Sequence, residues 1–305
     1  MRSIDRRVLI LAPFVHRHRL GTRVLLDGPE ATLSIGNGSI LQGAIDQLAD
    51  GVIDSACTLP PALLEQLHEN AMVASLAACP ADGAAFLDDF YALCDGWVGD
   101  IFASPFWHDF LSGHARPAQV WTFLCQLYRR TEGADVHNRI AAERCRDGAI
   151  ARLLWRHYEE ELGHAAILAD GLRQCGGAAV RHLQQAPLAS TSALIEFMVQ
   201  TSNEPLAYLG CYGIFHAPVT IRSEQELVDQ FAGYARLYPY AAPAFAAVAR
   251  HAALDYRLEH DHIVLEQWVS QVGPPGPRGV AAVARGARGA AVAFRAIFDA
   301  CACVS

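Results

Sequence analysis

The segment from His251 to His262 contains three histidines and three carboxylates in twelve residues of an otherwise apolar chain. Folding alone does not require that density of ligand groups. On a helix of about 3.6 residues per turn, His251, Asp255 and His262 lie within about 40° of one another, with Glu259 at about 80°. Imidazole and carboxylate groups are typical ligands of transition metals, so the spacing predicts half of a metal site.

A second group of ligand residues lies upstream, in the segment that ends at His164. Glu161 and His164 form an ExxH pair, and His157 lies one turn earlier on a helix. Two such helices facing each other can hold metal ions between them. His251 and Glu259 compete for one ligand role on the same face, and the sequence leaves open which of them takes it.

Composition excludes several classes of function. The chain has 305 residues, of which 52% are hydrophobic and 18% charged, as expected for a folded globular protein. A net charge of -8 gives no electrostatic footprint for nucleic acid. Nine cysteines without a CxxC pair suggest reduced thiols, and hence a cytoplasmic protein. The apolar run Val8–Val15 contains Pro13 and predicts a buried strand rather than a signal peptide, and no segment predicts a membrane span.

The first 80 residues differ in sequence pattern from the rest, because they contain the only convincing strand signals. They predict a small α+β domain over residues 1–80. Gly-rich turns separate three short β-prone segments, and two helices follow before a linker at Cys79–Gly83. The predicted strands are Val15–Leu20, Arg23–Leu26 and Ala31–Ile35, and the predicted helices are Ser39–Ala49 and Leu59–Leu76.

Residues 85–305 are predicted to form a helical domain, because apolar residues recur there at helical spacing. The predicted helices are Phe86–Asp95, Pro105–Leu111, Pro117–Arg130, Asp135–Arg144, Ile150–Cys175, Ser192–Phe215, Glu224–Leu237, Ala242–Val272 and Val280–Cys303.

The N-terminal pattern of three strands and two helices resembles the winged-helix-like, PqqD-like domains that recognise peptides in natural-product pathways. The resemblance covers about 70 residues and includes Arg23–Gly36 and the Ala-Asp-Gly end of the first helix. It implies that a leader peptide binds as an added strand at the edge of the meander. The other interpretation is a module for packing or oligomerisation.

The helical part resembles the heme-oxygenase-like superfamily that includes TenA and PqqC, across about 220 residues. The opening Ser104–Gly113 and Pro117–Tyr128 carries the resemblance, followed by the Glu161–His164 pair, the helix ending at His216 and the His251 helix. The expected fold is therefore mainly α, a TenA/PqqC-like bundle after a winged-helix-like domain. Family members are often dimers, which makes a homodimer one implied arrangement.

The resemblance is strongest to the non-heme diiron oxidases and oxygenases of that superfamily, and it implies two ferrous ions that react with O2. The match is imperfect: His216 stands where the family has a glutamate, and Asp255 where the shifted pattern has a histidine. The implied ligand set is Glu161, His164, His216, His251, Asp255, Glu259 and His262. Outer residues that could orient the imidazoles are His157, Glu160, Asp261 and Glu204.

The sequence thus predicts an O2-activating oxidoreductase that acts on an amino-acid-derived or peptide-borne substrate. Expected pocket residues are Tyr128, Tyr158, Phe197, Tyr212 and Phe215, with Arg139 or Arg152 for a substrate carboxylate. One alternative is a cofactor-free PqqC/TenA-like oxidase or hydrolase, with Cys125, Cys145 or Cys211 as nucleophile. Another is a non-catalytic peptide-binding scaffold with a degenerate metal site.

Overall fold

The computed structural model describes residues 6–20, 23–29, 31–36, 39–215, 223–258 and 264–304. Its strands are β1 (Arg7–Leu11), β2 (His16–Leu20), β3 (Arg23–Asp27), β4 (Thr32–Gly36), β5 (Val52–Ile53) and β6 (Val73–Ala77). Its α-helices are α1 (Ser39–Asp50), α2 (Pro61–Glu69), α3 (Gly83–Phe102), α4 (Pro105–Leu111), α5 (Pro117–Arg144), α6 (Gly148–Glu161), α7 (His164–Cys175), α8 (Gly177–Leu183), α9 (Ala189–Thr201), α10 (Pro205–Cys211), α11 (Glu224–Leu237), α12 (Ala242–Arg257), α13 (Val264–Val272) and α14 (Pro277–Ala302).

The N-terminal strands form two small antiparallel sheets. The predicted meander is confirmed as β2-β3-β4, in which Leu25 pairs with His18 on one side and Ser34 on the other. The predicted N-terminal strand is confirmed as β1, which lies between β5 and β6 in a second sheet. Strand β2 lies at one edge of the meander. One side of its backbone therefore has no strand partner in the described sheets.

The predicted helix over Leu59–Leu76 is wrong in its second half. Helix α2 ends at Glu69, and the Asn70 side chain donates a hydrogen bond to the carbonyl of Gln66, 2.7 Å away. Ala71 then adopts a positive φ of 52°, which stops helical propagation and turns the chain. The next residues form β6, whose backbone groups pair with β1 instead of with a helix.

Strand β1 contributes to two hydrophobic cores. Val8 and Ile10 pack with the buried residues of the helical part, whereas Leu9 and Leu11 pack with the N-terminal strands and helices. This division follows from the alternation of side chains along a strand. The proposed boundary near residue 80 lies between β6 and α3, and it stays a prediction.

Prolines and capping residues set many helix starts in the helical part. Proline occupies the first turn of α4, α5, α10 and α14, where its missing N–H leaves no unmet hydrogen bond. The Asp147 carboxylate accepts hydrogen bonds from the amides of Ala149 and Ile150 and so caps α6. Helix α4 and helix α11 have the predicted bounds.

Other helices differ from the prediction in how they are divided. Helix α5 is continuous where two helices were expected, and α8 was not expected. The predicted helix 150–175 is broken into α6 and α7, because Gly163 adopts φ 90°. The predicted helices 192–215 and 242–272 are likewise divided, into α9 and α10 and into α12 and α13.

Helices α5, α6, α7 and α12 position the ligand residues, and α7 packs closely on α12. The close approach depends on Gly171, where an added Cβ would lie 2.3 Å from the Cβ of Ala247. Among the described residues, no helix combines the length and apolar character needed to cross a membrane.

Candidate metal centre

Glu161 and His164 lie on either side of the break between α6 and α7. Glu161 is the last residue of α6 and His164 is the first residue of α7, so the predicted ExxH pair is not on one continuous helix. Gly163 supplies the left-handed conformation that joins the two helices, a conformation unfavourable for residues with a Cβ. The break brings the Glu161 carboxylate to 3.5 Å from Nδ1 of His164.

His251 and Asp255 lie one turn apart on α12, on the same face, as their spacing predicts. Oδ2 of Asp255 is 3.1 Å from Nδ1 of His251, and Oδ1 of Asp255 is 3.1 Å from Nδ1 of His164. One carboxylate thus contacts an imidazole from each of two helices. The expectation of a continuous helix to His262 is not met, because α12 ends at Arg257.

The four residues form one compact group. Ligand atoms of Glu161, His164 and His251 lie within 4.8 Å of one another, which is close enough for all three to bind one ion. The His164 side chain is only 3% exposed and that of Glu161 14%. Nε2 of His251 is buried and has no hydrogen-bond partner among the described residues, although such burial is unfavourable. A metal ion would satisfy this atom.

The electrostatics of the group also favour a cation. Burial by itself lowers the pKa of His164, but hydrogen bonds to Asp255 and Glu161 outweigh burial and raise it to about 9. In the metal-free protein, His164 therefore holds a proton among carboxylates. Because metal ligands must lose their protons to bind, an ion at this position would replace that proton.

Asp135 on α5 is a further oxygen donor that the sequence analysis missed. Burial and the negative charge of Glu161 raise the pKa of Asp135, and the charge of His164 lowers it, so Asp135 lies near this group. Its Oδ1 is buried and lacks a hydrogen-bond partner within the part of the chain that the structure describes. The signal available in the sequence was the high proportion of polar residues between 129 and 138 within a long helix.

A buried hydrogen-bonded network lies beside the metal-capable group. The Tyr208 hydroxyl donates to Oδ1 of Asn138 at 2.6 Å, and the Tyr212 hydroxyl donates to the same oxygen. Nδ1 of His137 lies 2.8 Å from the Tyr208 oxygen. Since Tyr208 gives its proton to Asn138, His137 donates through Nδ1–H. Burial lowers the pKa of His137 to about 3, so its imidazole is neutral.

The structure brings together only some of the predicted ligands. Glu161, His164, His251 and Asp255 are adjacent, and their role as ligands stays a prediction. His216, Glu259 and His262 lie outside the described residues, as does the predicted outer residue Asp261.

The other residues predicted to orient the imidazoles are His157, Glu160 and Glu204, and they lie in different places. The ring of His157 lies 5.0 Å from that of Tyr212, next to the network. Glu160 lies 3.5 Å from Arg156, and Glu204 forms an ion pair with Arg285 on α14. Glu204 is therefore held at the surface by another helix.

Two of the five predicted pocket residues, Tyr212 and Phe215, lie at the buried hydrogen-bonded network. Tyr212 and Phe215 follow α10 and pack edge to face, with ring centroids 6.1 Å apart. Tyr128 instead donates a hydrogen bond to Glu132 at 2.6 Å on an exposed part of α5. The ring of Tyr158 packs on Trp155, and that of Phe197 lies near Gly289 of α14.

The predicted thiol nucleophiles are poorly suited to act as thiolates. Burial raises the pKa of Cys125 to about 12, and burial also raises the pKa of Cys145 and that of Cys211. The Cys211 thiol donates to the carbonyls of Ala207 and Gly286 and faces the α10–α14 packing. A thiolate is the nucleophilic form, so these thiols do not favour the cysteine-dependent alternative.

Comparison with known proteins shows the fold. No protein-family model matches the sequence, and the search of curated proteins found no match. A solved structure from Pseudomonas syringae pv. tomato, described as a TenA homolog, has 16% identity and a TM-score of 0.46 over 73% of this chain and 93% of its own.

A second solved structure is more similar. It comes from Shewanella denitrificans and is described as a domain of unknown function with a heme oxygenase-like fold. Its identity is 18% and its TM-score 0.54, and the match covers 70% of this chain and 91% of that one. This level of identity shows the fold alone, so the chain is mainly helical and has a heme oxygenase-like fold.

Proposed function

We propose that this protein is a non-heme iron-dependent oxidoreductase that activates O2, with Glu161, His164, His251 and Asp255 in its metal centre. The observation that carries the proposal is the convergence of Glu161, His164 and His251 donor atoms within 4.8 Å in a buried site. Three elements of the bundle, α6, α7 and α12, supply these residues, which fixes their separation.

The donor set suits iron among the common metals. Two imidazoles and two carboxylates form a mixed nitrogen and oxygen set without thiolate, which is typical of non-heme iron. Bound ferrous iron would supply the electrons that O2 accepts. The chain's own contribution is to exclude water and to hold the imidazoles in position, as Asp255 does by contacting both His164 and His251.

We extend the proposal to two ions, as in the diiron enzymes that the sequence resembles. Asp135 would add a further carboxylate to the donor set near Glu161, as a second ion requires more ligands than four residues supply. His216, Glu259 and His262 are the remaining proposed ligands. We propose an amino-acid-derived or peptide-borne substrate, and recognition of a leader peptide at an edge of the β2-β3-β4 meander, where strand addition is possible.

The test is anaerobic reconstitution with ferrous iron, followed by metal analysis and rapid mixing with O2. We expect close to two irons per chain and a transient absorbing species in the parent protein. Glu161→Ala with His262→Ala is expected to lose both. The matched control is Glu159→Ala, which removes an exposed carboxylate of the same helix.

Two results would contradict the proposal. Absence of iron uptake by the parent protein would exclude the iron enzyme. Equal iron loss in Glu159→Ala and in the double variant would show that uptake reflects general acidity and not the convergent site. One iron per chain would retain the iron enzyme and exclude its diiron form.

A further inference from the structure

Arg130 on α5 is a half-buried cation next to the metal-capable group, and the sequence analysis did not select it. Its guanidinium lies over two aromatic rings, 5.5 Å from the centroid of Phe215 and 5.2 Å from that of Phe294. The two rings meet edge to face with centroids 5.4 Å apart. Contacts of this kind hold a guanidinium in one orientation and leave its N–H groups available.

Nε of Arg130 is buried and has no hydrogen-bond partner within the described part of the protein. Leaving a buried N–H donor of an arginine unpaired is unfavourable. An external acceptor would remove that cost.

The position of Arg130 also fits a ligand that reaches the metal group. Its charge interacts with Glu161 and Asp255, two of the proposed metal ligands, and with Tyr212. Phe215, Phe294 and Tyr212 provide an apolar wall beside it. A ligand with an oxyanion at one end and an apolar body would thus have a partner for each part.

We infer that Arg130 binds the carboxylate of an anionic substrate, through its unpaired Nε–H and a neighbouring Nη–H of the same guanidinium. A carboxylate matches the planar fork of a guanidinium with two parallel hydrogen bonds. The inference deepens the proposed function and rests on it, because it names the substrate class of that same site. It replaces Arg139 and Arg152, of which Arg139 lies 3.9 Å from Glu143 and is 54% exposed.

A competing role for Arg130 is simple charge compensation of Glu161 and Asp255. In that case Arg130 would stabilise the site without binding a ligand, and its loss would alter iron uptake. Anion binding and iron uptake therefore have to be measured separately. Metal-free protein serves for the first measurement, so that failure of the iron proposal leaves the anion result interpretable.

The experiment is calorimetric titration of metal-free protein with benzoate and with its neutral analogue benzamide, and with acetate and acetamide as smaller probes. We expect the parent protein to bind the acid about tenfold more tightly than the amide, since charge-assisted hydrogen bonds are about twice as strong as neutral ones. Arg130→Met should lose this preference, and Arg130→Lys should retain part of it. Arg139→Met, on the same helix, is the matched control and should behave as the parent.

Iron uptake by the same variants completes the test, with circular dichroism to show that each is folded. Arg130→Lys keeps the charge and provides a readable variant if Arg130→Met does not fold. Absence of a preference for either acid in the parent would overturn the inference. So would a preference that persists in Arg130→Met, or an iron loss in Arg130→Met without any change in anion binding.

Discussion

The neutral state of His137 predicts a specific dependence of stability on pH. His137 is 6% exposed, and burial lowers its pKa to about 3 from the 6.5 of an exposed histidine. Between these values the unfolded chain binds one more proton than the folded chain. The contribution of neutral His137 to the free energy of unfolding is therefore fully present above pH 6.5 and is lost as the pH falls toward 3.

The magnitude follows from the two pKa values. Each pH unit below 6.5 removes about 1.4 kcal/mol from the free energy of unfolding, so a change from pH 7 to pH 5 removes about 2 kcal/mol. His137→Gln removes the titrating group while retaining an amide that can donate toward Tyr208. We expect the parent to lose about 2 kcal/mol more stability than this variant over the same interval.

Urea unfolding of both proteins at pH 7 and pH 5 measures the difference. Other groups that titrate in this range contribute equally to both proteins and cancel. His108→Gln replaces an exposed histidine and controls for the substitution itself. Equal losses of stability in the parent and in His137→Gln would refute the reasoning, because they would show that His137 accepts a proton in the folded state.

Three other substitutions or treatments test the arrangement of the site. Gly163→Ala places a side chain at φ 90°, and we expect it to lower the free energy of unfolding by about 1–2 kcal/mol. The control is Gly233→Ala within α11, where an added Cβ meets no atom closer than 3.8 Å. This substitution should not be destabilising. Gly171→Val should separate α7 from α12, destabilise the protein by about 1–3 kcal/mol and lower iron uptake, and normal uptake would contradict the importance of this contact. In alkylation at mildly alkaline pH, the exposed Cys79 and Cys303 should react well before Cys125 and Cys211, and early labelling of Cys125 or Cys211 by mass spectrometry would reopen the thiol alternative.

The sequence predicted the parts of the site that depend on local spacing. His251 and Asp255 are four residues apart, and helical geometry alone brings them together. The predicted heme oxygenase-like fold is confirmed. It could be predicted because the order of the helices, and of the prolines that begin them, is a pattern that extends along the sequence. The winged-helix-like character of the first 80 residues stays a prediction.

The parts that sequence could not predict depend on contacts between distant segments. The break at Gly163 lies in a sequence that is otherwise compatible with a helix, so Glu161 and His164 were placed on one helix. Arg130 and Asp135 look like exposed residues of an amphipathic helix, but both are only partly exposed in the structure. Arg130 lies over the rings of Phe215 and Phe294, which are distant from it in the sequence. Strand β6 is alanine-rich and forms through its pairing with β1, which no local pattern indicates.

The position of β1 between two cores has a thermodynamic consequence. Loss of β1 would remove Val8 and Ile10 from the helical core and Leu9 and Leu11 from the N-terminal core in one event. The carbonyl of Leu11 also accepts a hydrogen bond from Arg288 of α14 at 2.8 Å, which adds a further link between the two parts. Neither core can unfold without exposing apolar surface of the other, so β1 couples the unfolding of the two cores. A ligand that binds to one of the two parts can therefore also stabilise the other part.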